Sequence, residues 1–485
     1  MTRREFLKTA GMSAAAFALG GCMSTAENFA DKAIAYKPNI IFIMIDDLGW
    51  RDVGFMGSTY YETPNIDKLA AEGMIFDNAY TCGPNCAPTR ASLMSGQYTP
   101  RHGVLSVNRS DKAPQHLMKL KTNQIRITLA AEVVTIAESL KPAGYVSASI
   151  GKWHLGNDPE LGPQAQGFDI NVGGTHNGQP PQGRYFSPYN NPKLPDGPRG
   201  EYLTDRLTIE ALKFIEANKG KPFFLYLPHY AVHTPIKAKK EIIAKYQKKK
   251  AIDTQNNPKY AAMIESIDEG IGRILDKLDE LKIADNTAIF FYSDNGGART
   301  KTSNKPLRGH KGQLYEGGIR VPLTIRWPAV VRPATTCKFP VTSIDFYPTL
   351  VELAATSMPS NQIFDGESIT GLLKGQKNLN RDAIYWHFPC YLSQGSKKLR
   401  EIRQAPAGAI RKGNWKLMEF FEDGHLELYN LKEDIGEKNN LTRTMPDKAK
   451  ELYEELKAWR ISVGAKIPVE LNPAYNPSFE NKRAK

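Results

Sequence analysis

Unbroken apolar runs and amphipathic stripes alternate along most of this chain. Asn39–Ile45 (NIIFIMI) is apolar after its first residue, the pattern of a strand covered on both faces, and it stops at Asp46-Asp47. Residues 64–73 predict a helix with Gly73 at its C-cap. Residues 135–141 predict a short helix and 146–150 a strand. Leu203, Leu207, Ala211 and Ile215 recur every four residues, which puts one apolar face on a helix over 203–218, and a strand follows at 223–227. Between 260 and 281, Ile264, Ile267, Ile271, Ile274, Leu278 and Leu281 predict a helix of about six turns. A further buried strand, 288–292, runs into Ser293-Asp294-Asn295-Gly296. Strands alternating with helices of this length predict an α/β fold, a large and mostly parallel sheet sandwiched by helices.

The texture changes past about residue 380. Residues 409–421 and 425–431 alternate apolar and polar, with turns at Lys412-Gly413-Asn414 and Asp423-Gly424. They predict a smaller C-terminal domain built on an antiparallel sheet, with a charged helix at 446–460 and a Pro/Asn-rich tail. The division expected is therefore a main domain at 38–380 and a sheet-plus-helix subdomain at 381–485. Residues 173–200 form a Gly/Pro/Asn-rich stretch with no element of its own, and loops that long usually serve a site.

Composition narrows the classes. The chain has 485 residues, 24% of them charged and 41% hydrophobic, which excludes a disordered or fibrous protein. No apolar run approaches the roughly 18 residues a spanning helix needs, so a polytopic membrane protein is excluded. Five cysteines exclude a disulfide-built scaffold. The net charge of +13 suits polyanionic partners, a sulfated or acidic glycan among them, or plain solubility; no nucleic-acid-binding signature is present, and no nucleic acid is expected as partner. The first 22 residues read as an address. Arg3, Arg4 and Lys8 precede an Ala-rich apolar stretch that ends in small residues. Thr2–Lys8 resembles a twin-arginine export signal, and Leu19-Gly20-Gly21-Cys22 resembles a lipobox, which would place a lipid on Cys22. Residues 23–37 then read as a tether. The expected location is the periplasm or cell envelope, with membrane contact only through that N-terminal lipid.

Candidate chemistry gathers at two strand ends. Asp46-Asp47 and Asp294-Asn295 each follow a buried strand; if the strands are neighbours, up to four oxygen ligands converge, and all-oxygen ligation selects calcium or magnesium over zinc. Ordinary turn chemistry also places Asp and Asn after strands. A second candidate is Cys86-Ala87-Pro88-Thr89-Arg90, where Pro88 suits a first helical turn. Cys86 then stands just before a helix N-terminus, with Arg90 one turn on and on the same side; a thiol there is either a low-pKa nucleophile or a structural cysteine in a turn. Cys82, Cys337 and Cys390 remain as an odd set with no pairing indicated.

Cys-x-Pro-x-Arg followed by Ala-Ser-Leu-Met-Ser-Gly resembles the maturation signature of the type I, formylglycine-dependent sulfatases, members of the alkaline phosphatase-like superfamily. Further blocks match in the family's order: Asp46-Asp47, Gly151-Lys152-Trp153-His154-Leu155-Gly156, Val232-His233-Thr234-Pro235, Ser293-Asp294-Asn295-Gly296 and residues 309–322 (GHKGQLYEGGIRVP). The C-terminal Arg411–Leu417 and Leu428–Leu431 strings resemble the family's tail sheet, so the likeness spans about 38–441.

The resemblance implies a sulfuric ester hydrolase whose Cys86 is oxidised to formylglycine (3-oxoalanine) by a sulfatase-maturing enzyme in the cytoplasm. It implies a cation, calcium or magnesium, held by Asp46, Asp47, Asp294, Asn295 and residue 86. In that chemistry one oxygen of the aldehyde hydrate attacks sulfur and the other expels sulfate by re-forming the aldehyde, which splits one hard step into two. Arg90 would hold formylglycine, Lys152 would bridge it to sulfate, and His154 would take the proton that starts the elimination. His233 and Lys311 would contact sulfate and protonate the leaving oxygen; His310 beside Lys311 is the weaker match. The expected substrate is a sulfated carbohydrate, with His176, Asn177, Arg184 and Tyr185 of the long loop as the sugar-facing wall and Trp386, His387 and Arg411 as secondary candidates. Two alternatives stand beside this: a phosphonate or phosphate ester hydrolase of the same superfamily, and a non-catalytic lipoprotein that binds sulfated glycan.

Overall fold

A computed structural model describes residues 37–394 and 401–482. The expected signal with Cys22, and all of the tether but its last residue, lie outside the described residues.

The main sheet has eight strands: β1 (Asn39–Ile45), β2 (Met74–Phe76), β3 (Val146–Ile150), β4 (Ile170–Val172), β5 (Phe223–Pro228), β6 (Thr287–Ser293), β7 (Leu323–Arg326) and β8 (Thr335–Cys337). Their spatial order is β8-β2-β7-β6-β1-β5-β3-β4. All pairs are parallel except those of β7, which runs antiparallel to both β6 and β2. The central strand β1 is buried along its whole length because its alternate side chains feed two cores. Ile41, Ile43 and Ile45 pack with helices α1 (Pro64–Ala71), α3 (Leu203–Asn218) and α4 (Pro258–Glu280). Ile40, Phe42 and Met44 pack on the other face with α2 (Cys86–Ser95), the short helix Ile136–Leu140 and α5 (Phe346–Leu353). The α/β sandwich expected from the periodicity is the architecture observed.

Helix boundaries moved by one or two residues. α1 ends at Ala71 with Glu72 as its C-cap, not Gly73. Gly73 has another reason to be glycine, because a Cβ there would stand 2.5 Å from the Ile325 carbonyl oxygen of β7. α2 begins at Cys86 itself, after Asn85 in extended conformation, so the cysteine is the first helical residue and not the one before it.

The C-terminal sheet is antiparallel, in the order β9 (Ala383–Phe388), β10 (Ala407–Lys412), β11 (Trp415–Phe420), β12 (Leu426–Asn430). Helix α6 (Pro446–Ser462) lays Leu452, Leu456 and Trp459 against Ile410, Leu417 and Leu428. A three-stranded sheet, unforeseen in the sequence, joins Asp111–Lys112, Tyr391–Gln394 and Glu401–Gln404 beside the carboxyl end of the main sheet's site. No described helix is long and apolar enough to cross a membrane. Cys82, Cys86, Cys337 and Cys390 are all free thiols.

Candidate active site

β1 and β6 are parallel neighbours with Ile45 opposite Ser293. Asp46 and Asp294 therefore leave the sheet side by side, followed by Asp47 and Asn295. Asp47 takes a left-handed backbone (φ 66°), which turns its carboxylate back toward the strand ends. Its amide donates to Asp294 Oδ1 at 3.2 Å, and Asn295 Nδ2 donates to Asp47 Oδ1 at 2.8 Å. Cys86 reaches the same point from the N-terminus of α2. Its sulfur lies with carboxylate oxygens of Asp46 and Asp294 in a cluster whose ligand atoms are all within 4.8 Å.

Cations close this cluster from several sides. Arg90, one turn along α2, donates from Nε and Nη2 to Asp294 Oδ2 at 3.0 and 2.8 Å, and from Nη1 to the Lys152 carbonyl at 2.9 Å. Lys152 Nζ stands 2.6 Å from Asp46 Oδ2, and both residues are fully buried. Lys311 Nζ reaches Asp47 Oδ1 at 2.5 Å, while His233 Nε2 lies 3.9 Å from Asp47 Oδ2. His154 Nδ1 is 3.4 Å from Cys86 Sγ. Burial and the adjacent Asp294 push the Asp46 carboxyl well above the usual carboxylate range, despite Lys152. Burial opposes ionisation of Cys86 as well, but Lys152 and Lys311 outweigh it and hold the thiol below its ordinary value. Burial, with Lys311 adding to it, takes His233 down to about 4.

Two oxygens in this crowd, Asp46 Oδ1 and Asn295 Oδ1, are buried with no hydrogen-bond partner. Orphaned acceptors beside three carboxylates are what a hard cation would satisfy, so the donor set fits calcium or magnesium.

The cluster forms the floor of an open cleft of about 980 Å³. Cys86, His154, His233 and Lys311 face it, together with His176, Asn177, Gly178 and Gln179 of the long loop. Asn108, Arg109 and Lys112 line it too, with Ser393 and Arg403 from the three-stranded sheet. The long loop thus divides. His176 and Asn177 line the cleft, but Arg184 and Tyr185 do not. Arg184 donates to Gln182 Oε1 and the Pro188 carbonyl outside it. Tyr185 is fully buried, and its hydroxyl spans the Tyr230 and His233 carbonyls at 2.7 and 2.8 Å. It positions the histidine loop from behind and offers no ring to a sugar.

The C-terminal candidates are also core residues. Trp386 donates to the Thr81 carbonyl, His387 pairs with the Lys466 carbonyl, and Arg411 stacks on Tyr80. His310 points to a neighbouring pocket with Arg299 and Arg308, leaving Lys311 as the member that meets the cluster. Lys112 and Arg403 were missed in the sequence, because each sits in a segment with no readable period.

A family model described as Sulfatase matches residues 38–356, and one described as N-sulphoglucosamine sulphohydrolase, C-terminal, matches 310–462. A sulfatase of Formosa agariphila is 36% identical over 88% of this chain and 90% of its own. Human N-acetylgalactosamine-6-sulfatase is 33% identical over 72% of this chain and 68% of its own. The crystal structure of Ps i-CgsB in complex with k-i-k-neocarrahexaose superimposes with a TM-score of 0.71 at 32% identity, over 87% of this chain and 92% of that one. With the Sulfatase model matched over most of its main domain and the acidic cluster standing where the folded strands deliver it, the chain belongs to the sulfatase family of the alkaline phosphatase-like superfamily and is a sulfuric ester hydrolase.

Proposed function

We propose that this enzyme removes sulfate from a sulfated carbohydrate, using a formylglycine made from Cys86 by a sulfatase-maturing enzyme and a calcium ion held by Asp46, Asp47, Asp294 and Asn295. The observation that carries it is the meeting of Asp46 and Asp294 with Cys86, with Asp47 and Asn295 hydrogen-bonded beside them and two buried oxygens left unpartnered. The ion would supply a Lewis acid for a sulfate oxygen, and the hydrated aldehyde a nucleophile that releases sulfate without waiting for water. The chain's own residues do the rest. Arg90 and Lys152, each tied to a carboxylate, fix residue 86 and neutralise the sulfate charge. His154, against Cys86 Sγ, is placed to take a proton from the group at position 86. His233 and Lys311 face the cleft from the Asp47 side, where a leaving oxygen would need a proton.

A carbohydrate substrate is supported by the polar, open cleft and by relatives whose names specify sulfated sugars or a carrageenan oligosaccharide. Export by the twin-arginine signal, with lipid on Cys22, belongs to the same proposal and rests on residues 1–22 alone; palmitate labelling that is lost in Cys22→Ala is the expected result.

Initial rates of the matured enzyme on aryl sulfate, phosphonate and phosphate esters test the activity. The sulfate should be fastest by far, and Cys86→Ala should keep its melting temperature while losing turnover. A faster phosphonate or phosphate, or an active Cys86→Ala, would overturn the assignment in favour of the related hydrolases; binding without turnover would favour a glycan-binding lipoprotein.

A further inference from the structure

The cleft holds four Lys or Arg side chains, and they differ in how their charge is met. Lys311 is paired with Asp47, and Arg109 with Asp111 at 2.8 Å. Lys112 and Arg403 have no ion pair and no side-chain hydrogen bond among the described residues. Arg403 is the more telling of the two. Its Nε is shut off from solvent with no acceptor, while the side chain lines the cleft. Its guanidinium lies across Gly312, where a Cβ would come within 2.3 Å of Nη2. Gly312 has φ +88°, follows Lys311, and is thereby bare where the guanidinium needs room.

The backbone sets the strands that carry these two cations on either side of a shared central strand. Lys112 and Arg403 lie on the outer strands of the three-stranded sheet. Lys112 is paired with Leu392, and Arg403 sits at the register shift between the Leu392–Gln404 and Ser393–Ile402 pairs. Two strand spacings separate the outer strands, roughly 10 Å, a span that one sugar ring and its substituents would fill. The Gln313 side chain donates to the Arg403 carbonyl at 3.0 Å, and the Leu314 amide to Gln404 Oε1 at 3.1 Å. The sheet is thus fastened to the loop that carries Lys311. Burial, Lys311 and Arg403 together depress the Lys112 ammonium; burial takes Arg403 down to about 10, with Arg299 adding and Asp47 opposing. Unneutralised cations that repel one another in a half-buried wall are stabilised when an anion enters between them.

We propose that Lys112 and Arg403 form a second anion subsite next to the reacting sulfate, which takes a further sulfate or carboxylate of the same carbohydrate. The inference rests on the sulfated-carbohydrate reading and specifies the substrate as polyanionic.

Binding to the unmatured protein, with Cys86 intact, tests the subsite separately from catalysis. Isothermal titration at fixed ionic strength would compare three defined disaccharides: one monosulfated, one disulfated, and one carrying one sulfate and one uronate carboxylate. Wild type should bind one or both dianionic probes at least tenfold tighter than the monosulfated one, about 1.4 kcal/mol. Whichever dianion is tighter identifies the anion taken. The advantage should vanish in Lys112→Gln/Arg403→Gln and survive in part in Arg403→Lys. If the double variant does not fold, each single variant carries the same comparison with a smaller loss. Equal affinity of wild type for all three probes, or a double variant that keeps the advantage, would overturn the subsite. Failure to hydrolyse aryl sulfate would overturn the sulfatase chemistry instead, since this titration reads no turnover.

Discussion

Arg90 and Asp294 form one buried ion pair at the site, and Lys152 with Asp46 a second. Removing one partner of such a pair strands a buried charge, at about 3–5 kcal/mol. His102 is also buried, its Nε2 3.0 Å from Ser92 Oγ on α2 and its Nδ1 accepting from the Val104 amide. That pattern holds a neutral ring, and burial takes its pKa down to about 3. The unfolded chain gains the proton near pH 6.5, so this histidine stabilises the fold fully above that pH and progressively less below it. Between pH 7 and 5 the loss is about 2 kcal/mol. Urea unfolding of His102→Asn, whose Oδ1 can accept where Nδ1 does, should show a drop between pH 7 and 5 smaller than wild type by about that amount; an equal drop would contradict it. The cluster residues were legible because each is a chemically unusual group beside a strand end or helix start. His102, Tyr185 and Arg403 were not, because their roles depend on partners 10 to 90 residues away.

The long central elements were readable for a physical reason. β1, β5 and β6 are buried on both faces, so their apolar runs are unbroken, and α3 and α4 carry one apolar stripe each. β2, β4 and β8 have three residues each, too few to show a period. The direction of β7 was equally hidden, since a buried strand reads the same whether its neighbours run with it or against it. The loops between elements carry their own constraint. Gly296 follows the β6 ligands, and a Cβ there would stand 1.9 Å from the Gly317 carbonyl oxygen. Its amide already donates to the Gly318 carbonyl, and the Lys311 amide to that of Gly297. Gly296→Ala should therefore push the Lys311 loop away and lower kcat/KM on aryl sulfate by roughly 100-fold, the usual result of a 1 Å misplacement. Unaltered kinetics would show that the loop does not depend on this contact.

At the scale of the whole molecule, the C-terminal sheet is locked to the catalytic body by a buried charge cluster. Lys416 on β11 stands 3.0 Å from Glu316 and 2.8 Å from Glu437, and all three are fully buried. β11 is buried at four consecutive positions, Lys416 to Glu419, so the strand is covered on both sides and its polar positions lie at an interface. Glu316 is held near 2 by Lys416, Arg320 and Arg411 against the pull of burial. Lys416→Met leaves both carboxylates without their shared cation and should cost about 3–5 kcal/mol in a urea unfolding curve; an unchanged midpoint would contradict the cluster's role. The antiparallel texture past residue 380 was visible, whereas this junction and the three-stranded sheet, assembled from segments almost 300 residues apart, were not. The account as a whole depends on what residue 86 becomes. Tandem mass spectrometry of the tryptic peptide 69–90, from protein co-expressed with a maturing enzyme, separates Cys86 from Cys82 and reads it directly. An aldehyde or its hydrate at position 86, in proportion to sulfatase activity, is the result predicted; an unmodified thiol in fully active protein would contradict it.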